Sequence, residues 1–266
     1  MGIINCSPNS FYQPVLDLNA ALRAAENMIQ AGANIIDIGG EATNPQVSLE
    51  KESPTVEVEM QRIVPVVRAI KQRYKVVVSI DTSQPKVMLA ALEAGADMIN
   101  DQRALTLPGA AELAAHWKVP VVLMHWFHPP RVPGTSTKQA LLARIQTELK
   151  SSIERCLQAG IQREKIWIDP GFGGGNYGKN TEENYYLLSH LEDIVKLGFP
   201  VLVGWSRKSM IGEALGGVGP AERLYGSLAA AALAMMKGAS IIRTHDVKAT
   251  QDVVKIFTRF TDQVGN

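Results

Sequence analysis

The sequence predicts an α/β protein folded as a single (β/α)8 barrel of the TIM type, on three observations. Eight short apolar runs that end in polar residues recur along the 266 residues, at 2–5, 35–37, 76–81, 98–101, 121–125, 166–169, 201–206 and 241–245. Runs apolar on both alternating sets are the signature of parallel strands covered on both faces. Segments of helical period separate them. Eight units over this length average roughly 30 residues each, the size of one strand and helix of such a barrel. No linker interrupts them, so residues 1–266 read as one domain. An open doubly wound sheet is the alternative fold.

The first helix follows from Leu18, Ala21, Leu22, Ala25, Met28 and Ile29, spaced i, i+3, i+4, i+7. Ser83 ahead of Pro85 predicts an N-cap with proline in the first turn, and Gly95 predicts the end of that helix. The same helix-to-strand junction recurs at Ala31-Gly32, Ala94-Gly95 and Lys237-Gly238, each glycine standing where a left-handed C-cap is needed. The longest irregular stretches, 7–17, 41–54, 126–137 and 171–180, follow strand ends. Loops in that position form the C-terminal face, where barrel enzymes build their sites.

Lys and Arg number 27 against 26 Asp and Glu, a net charge of +1 without a basic block. That balance excludes the electrostatic footprint of a nucleic-acid or membrane-surface binder. Cys6 and Cys156 form neither a CxxC pair nor a metal-ligand spacing, as expected of a reducing compartment. No apolar run approaches the roughly 18 residues that cross a bilayer, and no secretory leader is evident. The expectation is a cytoplasmic protein with no nucleic-acid or membrane partner.

The strand ends carry Asn5, Asp37 with Glu41, Asp81, Asn100 with Asp101, His125, Asp169, Ser206 with Arg207 and Lys208, and Arg243 with His245. In a barrel these converge on one mouth. Arg243, His245, Lys208, Thr43 and Ser209 suit an oxyanion such as phosphate, whereas Asp81, Asn100 and Asp169 suit a ring edge rich in N–H donors. Other signals are weaker. Residues 173–178 match GxGxxG after a strand, but Asp169-Pro170 intervenes and the next helix is expected to start at Asn180 or Thr181. His125 and His128 lack a third ligand for zinc, so His125 reads as a hydrogen-bonded wall residue. Cys6 reads as a small buried apolar residue, and Met235 and Met236 as core.

Eight segments together resemble the dihydropteroate synthase family of pterin-binding barrels. They are MGIINCSPNSF at Met1, IDIGGEATNP at Ile36, SIDTSQP at Ser79, INDQRAL at Ile99, LMH at Leu123, IDPGFG at Ile168, GWSRKSMIG at Gly204 and IIRTHDVKAT at Ile241. The resemblance implies a transferase of folate biosynthesis. It would join 6-hydroxymethyl-7,8-dihydropterin diphosphate to 4-aminobenzoate and release diphosphate, with Mg2+, by a dissociative substitution in a homodimer inhibited by sulfonamides. It implies Asn5 as metal contact, and Thr43, Arg243, His245 and Asn5 on the diphosphate. Asp81, Asn100, Asp169, Lys208, Met124 and Phe172 would hold the pterin. Ser7, Pro45, Ser209 and Tyr177 would meet 4-aminobenzoate. Lys208, Arg243, His245 and Asp81 would carry catalysis, with Arg243→Ala or Lys208→Ala abolishing turnover and leaving the fold intact. The alternatives are a non-catalytic pterin-binding paralogue and a pterin-dependent methyltransferase of the same superfold.

The chain departs from the family pattern in four places. Ser7 and Asn9 stand where threonine and aspartate are usual. Asn44 replaces the second-loop arginine, for which Arg131 is the candidate substitute. The Gly-rich loop is three residues longer, with Tyr177 expected in the aromatic position and Lys179 in the lysine position. The chain also opens on its first strand, where family members carry a short leading segment.

Overall fold

The structure, a computed structural model, describes residues 1–10, 12–42 and 49–264. The eight apolar runs form eight parallel strands among the described residues: β1 (Gly2–Asn5), β2 (Ile35–Gly39), β3 (Val77–Asp81), β4 (Met98–Asp101), β5 (Val121–Met124), β6 (Ile166–Asp169), β7 (Leu202–Val203) and β8 (Ile241–Ile242). β1 to β6 pair in chain order, and β7 pairs with β8. Parallel bridges of Ile168 with Val201 and of Gly2 with Thr244 close the ring on both sides. The closing hydrogen bonds run from Ile168 N–H to Pro200 O at 3.0 Å, Ile3 N–H to Thr244 O at 3.1 Å and Thr244 N–H to Met1 O at 2.9 Å. This is the expected (β/α)8 barrel.

The helices lie outside the ring: α1 (Leu18–Gln30), α2 (Leu49–Glu52), α3 (Val56–Arg73), α4 (Pro85–Glu93), α5 (Ala110–Trp117), α6 (Lys138–Gln158), α7 (Thr181–Ser189), α8 (Leu191–Val195), α9 (Ser209–Ala214), α10 (Leu224–Met236) and α11 (Val247–Val264). α1 begins where the Asp17 carboxylate accepts from Ala20 N–H at 2.8 Å and buries Ala21, Leu22 and Ala25 against the strands. α4 has its proline at the first turn, but Gln84 occupies the N-cap without a side-chain bond. The expected cap, Ser83, is drawn away because its hydroxyl bonds the buried Asp101 carboxylate. Gly32, Gly95 and Gly238 all adopt left-handed φ, of +96°, +106° and +91°, so the repeated junction is real.

Two apolar layers hold the barrel. The larger packs strand residues such as Ile4, Ile36, Ile38 and Ile80 against the helices. Burying each such side chain stabilises by about 1.5–3 kcal/mol. The smaller, inside the ring, is Ile35, Met98, Val122 and Leu202 with Met1, Trp167 and Ile241. Along a strand, alternate residues share a face, so Asp37 and Asn100 stand directly above Ile35 and Met98 on the inner face. This apolar plug is the floor on which the polar mouth rests.

β7 and β8 are shorter than the apolar runs that foretold them. Beyond Val203 the chain turns through Arg207, a non-glycine residue at φ +60°, a conformation that costs about 1 kcal/mol or more. A dense network fixes it. The Arg207 guanidinium meets Asp246 at 2.8 and 2.7 Å and the carbonyls of Pro220 and Ala221 at 2.9 and 2.6 Å. Ser227 receives its backbone N–H at 3.0 Å. The turn aims the next residue, Lys208, into the mouth.

Candidate active site

The parallel register sets one row of inward positions level at the mouth: Asn5, Gly39, Asp81 and Asn100. Above it opens a cavity of about 250 Å³ lined by Asn5, Asp81, Gln102, Lys208, Arg243 and His245.

The deep side is a carboxylate cluster around one arginine. Arg243 donates from Nε to Asp37 Oδ2 at 2.6 Å and from Nη2 to Asp81 Oδ2 at 2.7 Å. Asn100 Nδ2 donates to Asp37 Oδ2 at 3.1 Å, and Gln102 Nε2 to both oxygens of Asp81 at 3.0 and 3.3 Å. Asp37 Oδ1 and Ser79 Oγ, both buried, have no partner among the described residues. Burial pushes the Asp81 carboxyl up to about 7 against the pull of Arg243. Burial opposes the charge on Arg243, but Asp37 and Asp81 outweigh it and raise its pKa, so it stays a cation. Asp169, also raised by burial, accepts from Gly171 N–H at 2.7 Å and shapes the turn beyond β6.

The outer side is built for an anion. Lys208 Nζ lies 4.6 Å from the centre of the Tyr177 ring and donates to Phe172 O at 2.5 Å. Burial lowers this ammonium to about 8, opposed by Asp169. His245 is seated by Ser206, whose Oγ is 2.9 Å from Nδ1 and accepts the His245 N–H at 3.1 Å. Burial, then the charge of Arg243, lowers His245 to about 3, so it is neutral at pH 7. Tyr12 covers this corner, its ring 5.2 Å edge-on from His245 and 4.6 Å from the Arg207 guanidinium. Arg223 completes the wall, donating to Val218 O and Arg207 O, both at 3.0 Å.

A family model described as pterin binding enzyme matches residues 1–245. The chain belongs to this family. Its relatives include the dihydropteroate synthase of Escherichia coli strain K12, 46% identical over 262 residues, covering 96% of this chain and 89% of the relative. A dihydropteroate synthase of Coxiella burnetii solved with pteroic acid superposes with a TM-score of 0.92 at 56% identity, covering 97% of this chain and 91% of that one. The Xanthomonas albilineans dihydropteroate synthase solved with 4-aminobenzoic acid gives 0.87 at 39% identity, covering 98% and 92%.

Of the residues that the family resemblance singles out, Asn5, Ser7, Asp81, Tyr177, Lys208 and Ser209 line the one cavity with Arg243 and His245. Asn100 stands behind Asp37, and Asp169, Met124 and Phe172 are buried beneath the surface, Phe172 against Trp205 at 5.0 Å. Thr43, Asn44 and Pro45 lie outside the described residues. His245, grouped with the cations that suit an oxyanion, is neutral at pH 7 because burial, then Arg243, lowers it to about 3. Arg131 is not the substitute cation: its fork is closed on Glu183 at 2.7 and 3.1 Å under the Gly-rich turn. Arg223, which the sequence did not single out, is a second arginine on the cavity wall besides Arg243.

The Gly-rich stretch is a short 3-10 turn, Gly175–Tyr177, and the following helix starts at Thr181 with a capping box from Asn180 and Glu183, as expected. Lys179 lies under the turn rather than in the cavity, donating to Gly171 O at 2.7 Å and Tyr177 O at 3.3 Å, and burial lowers it to about 7. His125 is buried with Nε2 2.8 Å from Glu148, while His128 is exposed. Cys6 is buried, and burial lifts its thiol to about 12. Gln102 was also missed: it lies one residue past the end of β4, where the strand reading stopped.

Proposed function

We propose that this chain is a dihydropteroate synthase, transferring the pterin-methyl group of 6-hydroxymethyl-7,8-dihydropterin diphosphate to 4-aminobenzoate and releasing diphosphate. The observation that carries the reading is the division of one cavity into a deep carboxylate and amide side and an outer cationic side. A pterin ring edge offers N–H donors to the first. Its diphosphate needs the second.

Breaking the methylene–oxygen bond leaves positive charge delocalised into the ring and negative charge on diphosphate. Fixed groups of opposite sign at each end lower that barrier without covalent chemistry. Asp81, held by Gln102 and Arg243, faces the ring end. Lys208 and the Arg243 Nη1, which has no partner among the described residues, face the departing group. The neutral His245, with Nδ1 on Ser206 at 2.9 Å and Nε2 3.5 Å from Asn5 Nδ2, stands at the same corner without adding charge. The amine of 4-aminobenzoate then attacks the methylene carbon and loses its proton, so no protein nucleophile is needed.

Mg2+ belongs to the same proposal. Asn5 supplies a hard amide oxygen at the mouth, and among the described residues no group of three or more His, Cys, Asp and Glu forms a cage. That donor set fits an ion held by one or two protein oxygens together with substrate phosphates. When bound, the ion would offset the charge gathered on diphosphate.

The homodimer is proposed on the apolar residues left exposed on two neighbouring helices, Tyr225, Leu233 and Met236 of α10, the last expected in the core, and Ile256 and Phe260 of α11. Among the described residues no helix is long and apolar enough to cross a membrane. Cytoplasmic residence is proposed on the two buried free thiols, Cys6 and Cys156.

The test is diphosphate release by the purified protein given both substrates and Mg2+. Release dependent on 4-aminobenzoate, with dihydropteroate as product, supports the reading. Tight binding of the pterin diphosphate with no release overturns it in favour of a non-catalytic paralogue.

A further inference from the structure

Gln102 joins two parts of the mouth, the deep carboxylate and the Gly-rich turn. On one side its Nε2 donates to both Asp81 oxygens, at 3.0 and 3.3 Å. On the other its Oε1 accepts from the Tyr177 hydroxyl at 3.2 Å. Only this orientation of the amide satisfies both neighbours, since an ionised carboxylate cannot donate.

Tyr177 is the aromatic tip of the Gly-rich turn, 7% exposed and edge-on to Trp126 at 5.7 Å. Gly173 makes room for it: its φ is +149°, and a Cβ there would fall 2.6 Å from the tyrosine ring. Lys208 Nζ rests over that ring, 4.6 Å from its centre. The turn therefore roofs the cavity, and the amide of Gln102 is its tie to the deep carboxylate.

We propose that Gln102 is a positioning residue that locks the Tyr177 turn over the pocket to the ionised form of Asp81, so that roof and ring-binding carboxylate are set together. The proposal rests on the reading of the pocket as the pterin site. An amide N–H favours an ionised carboxylate and stands in an apolar-rich cleft where such a bond is worth more than in water. The other charged groups facing Asp81 are Arg243 beyond β8, Asp37 from β2, Glu41 beyond β2, Glu59 from α3 and Lys208 beyond β7. Of these, Asp37, Glu41 and Glu59 oppose the ionised form. Gln102 and the two cations sustain it.

The experiment compares the full-length wild type with Gln102→Met, Gln102→Glu and Tyr177→Phe. The readouts are the pH profile of kcat/KM for dihydropterin diphosphate, the separate KM and kcat values, and thermal melting as a control for folding. Gln102→Met keeps the length and removes the donor, so its acid limb should move up by about one pH unit. Gln102→Glu keeps an acceptor for Tyr177 but sets a carboxylate against Asp81, so its limb should move further. Tyr177→Phe should leave the limb in place and raise KM by about threefold to tenfold. Combined with Gln102→Met it should raise KM no further than the stronger single change.

An unmoved acid limb in both Gln102 variants, or KM effects that multiply in the double variant, overturns the proposal. Should the wild type release no diphosphate, that failure belongs to the assigned reaction. The same limbs are then read from calorimetric binding of dihydropterin diphosphate across pH, with the same two criteria.

Discussion

Two half-buried arginines, one under the Gly-rich turn and one in the mouth, are both locked to carboxylates, and they differ in how completely. Arg131 places both Nη atoms on Glu183 and also bonds Gly178 O and Ser136 Oγ, each at 2.9 Å. Glu183 in turn accepts from the N–H groups of Gly134 and Asn180, both at 2.9 Å. Against its burial, Arg131 holds the Glu183 carboxyl below its ordinary value. In the mouth, Arg243 serves two carboxylates, yet Asp37 Oδ1 and Ser79 Oγ are buried without a partner among the described residues. Buried polar groups are normally satisfied. The saturated Arg131 cluster is therefore scaffold, whereas the Arg243 cluster, which reaches the cavity through Asp81 and Arg243, keeps unused hydrogen-bonding capacity.

The largest effect expected from this contrast is on catalysis. Arg243→Lys keeps a cation between Asp37 and Asp81 but loses the planar fork. It should lower kcat/KM about 1000-fold, about 4 kcal/mol of transition-state stabilisation, with little change in melting. Alanine at this position is a different experiment. Arg243→Ala should also lower stability, because Asp37 and Asp81 would lose their common counterion.

The mirror-image experiment is Arg131→Met. It strands Glu183 and should lower stability in urea melts by about 3–4 kcal/mol, while kcat/KM of the folded enzyme changes little. Lys208→Met tests the outer side, with an expected loss of about 100-fold in kcat/KM. Stability should hold or rise, since a buried amine with a lowered pKa is removed. In the wild type the ammonium is present below about 8 and is lost as pH rises through it, so activity should fall on the alkaline side of pH 8. Lys208→Arg should push that limb beyond pH 10.

The smallest effect sharpens the boundary between scaffold and site. Glu59 is buried behind Gly40, its Oε1 unpartnered among the described residues, and burial, with Glu41 nearby, lifts its carboxyl to about 7. The folded protein therefore binds a proton there that the unfolded chain releases near 4.5. Stability from this group is present below that value and is lost as pH rises through about 7. Glu59→Gln should raise stability by about 1 kcal/mol at pH 8 and change it little at pH 5, read from urea melts at the two values.

The strand ends were legible in the sequence because period and polarity alone place them. Asn5, Asp81, Lys208, Arg243 and His245 do share one cavity. What the sequence could not show is pairing. Arg131 reads as a free cation until Glu183, 52 positions away, closes its fork. His245 reads as an oxyanion contact alongside Arg243 and Lys208 until its burial beside Arg243 shows that it is neutral. Ser83 reads as a helix cap until Asp101 claims its hydroxyl. Each miss is a long-range contact that local spacing does not encode. Gln102 was missed for a different reason: it stands one residue beyond a strand end, where the alternation that flags an inward residue has already stopped.

The claim that the unsaturated cluster is the one held for substrate is tested most directly by calorimetric titration of dihydropterin diphosphate, with Mg2+, into the wild type, Arg243→Lys and Arg131→Met at one temperature at which all three are folded. The account expects affinity to fall about 100-fold or more in Arg243→Lys and to stay within about threefold of wild type in Arg131→Met. Equal losses in the two variants, or wild-type affinity in Arg243→Lys, would contradict it.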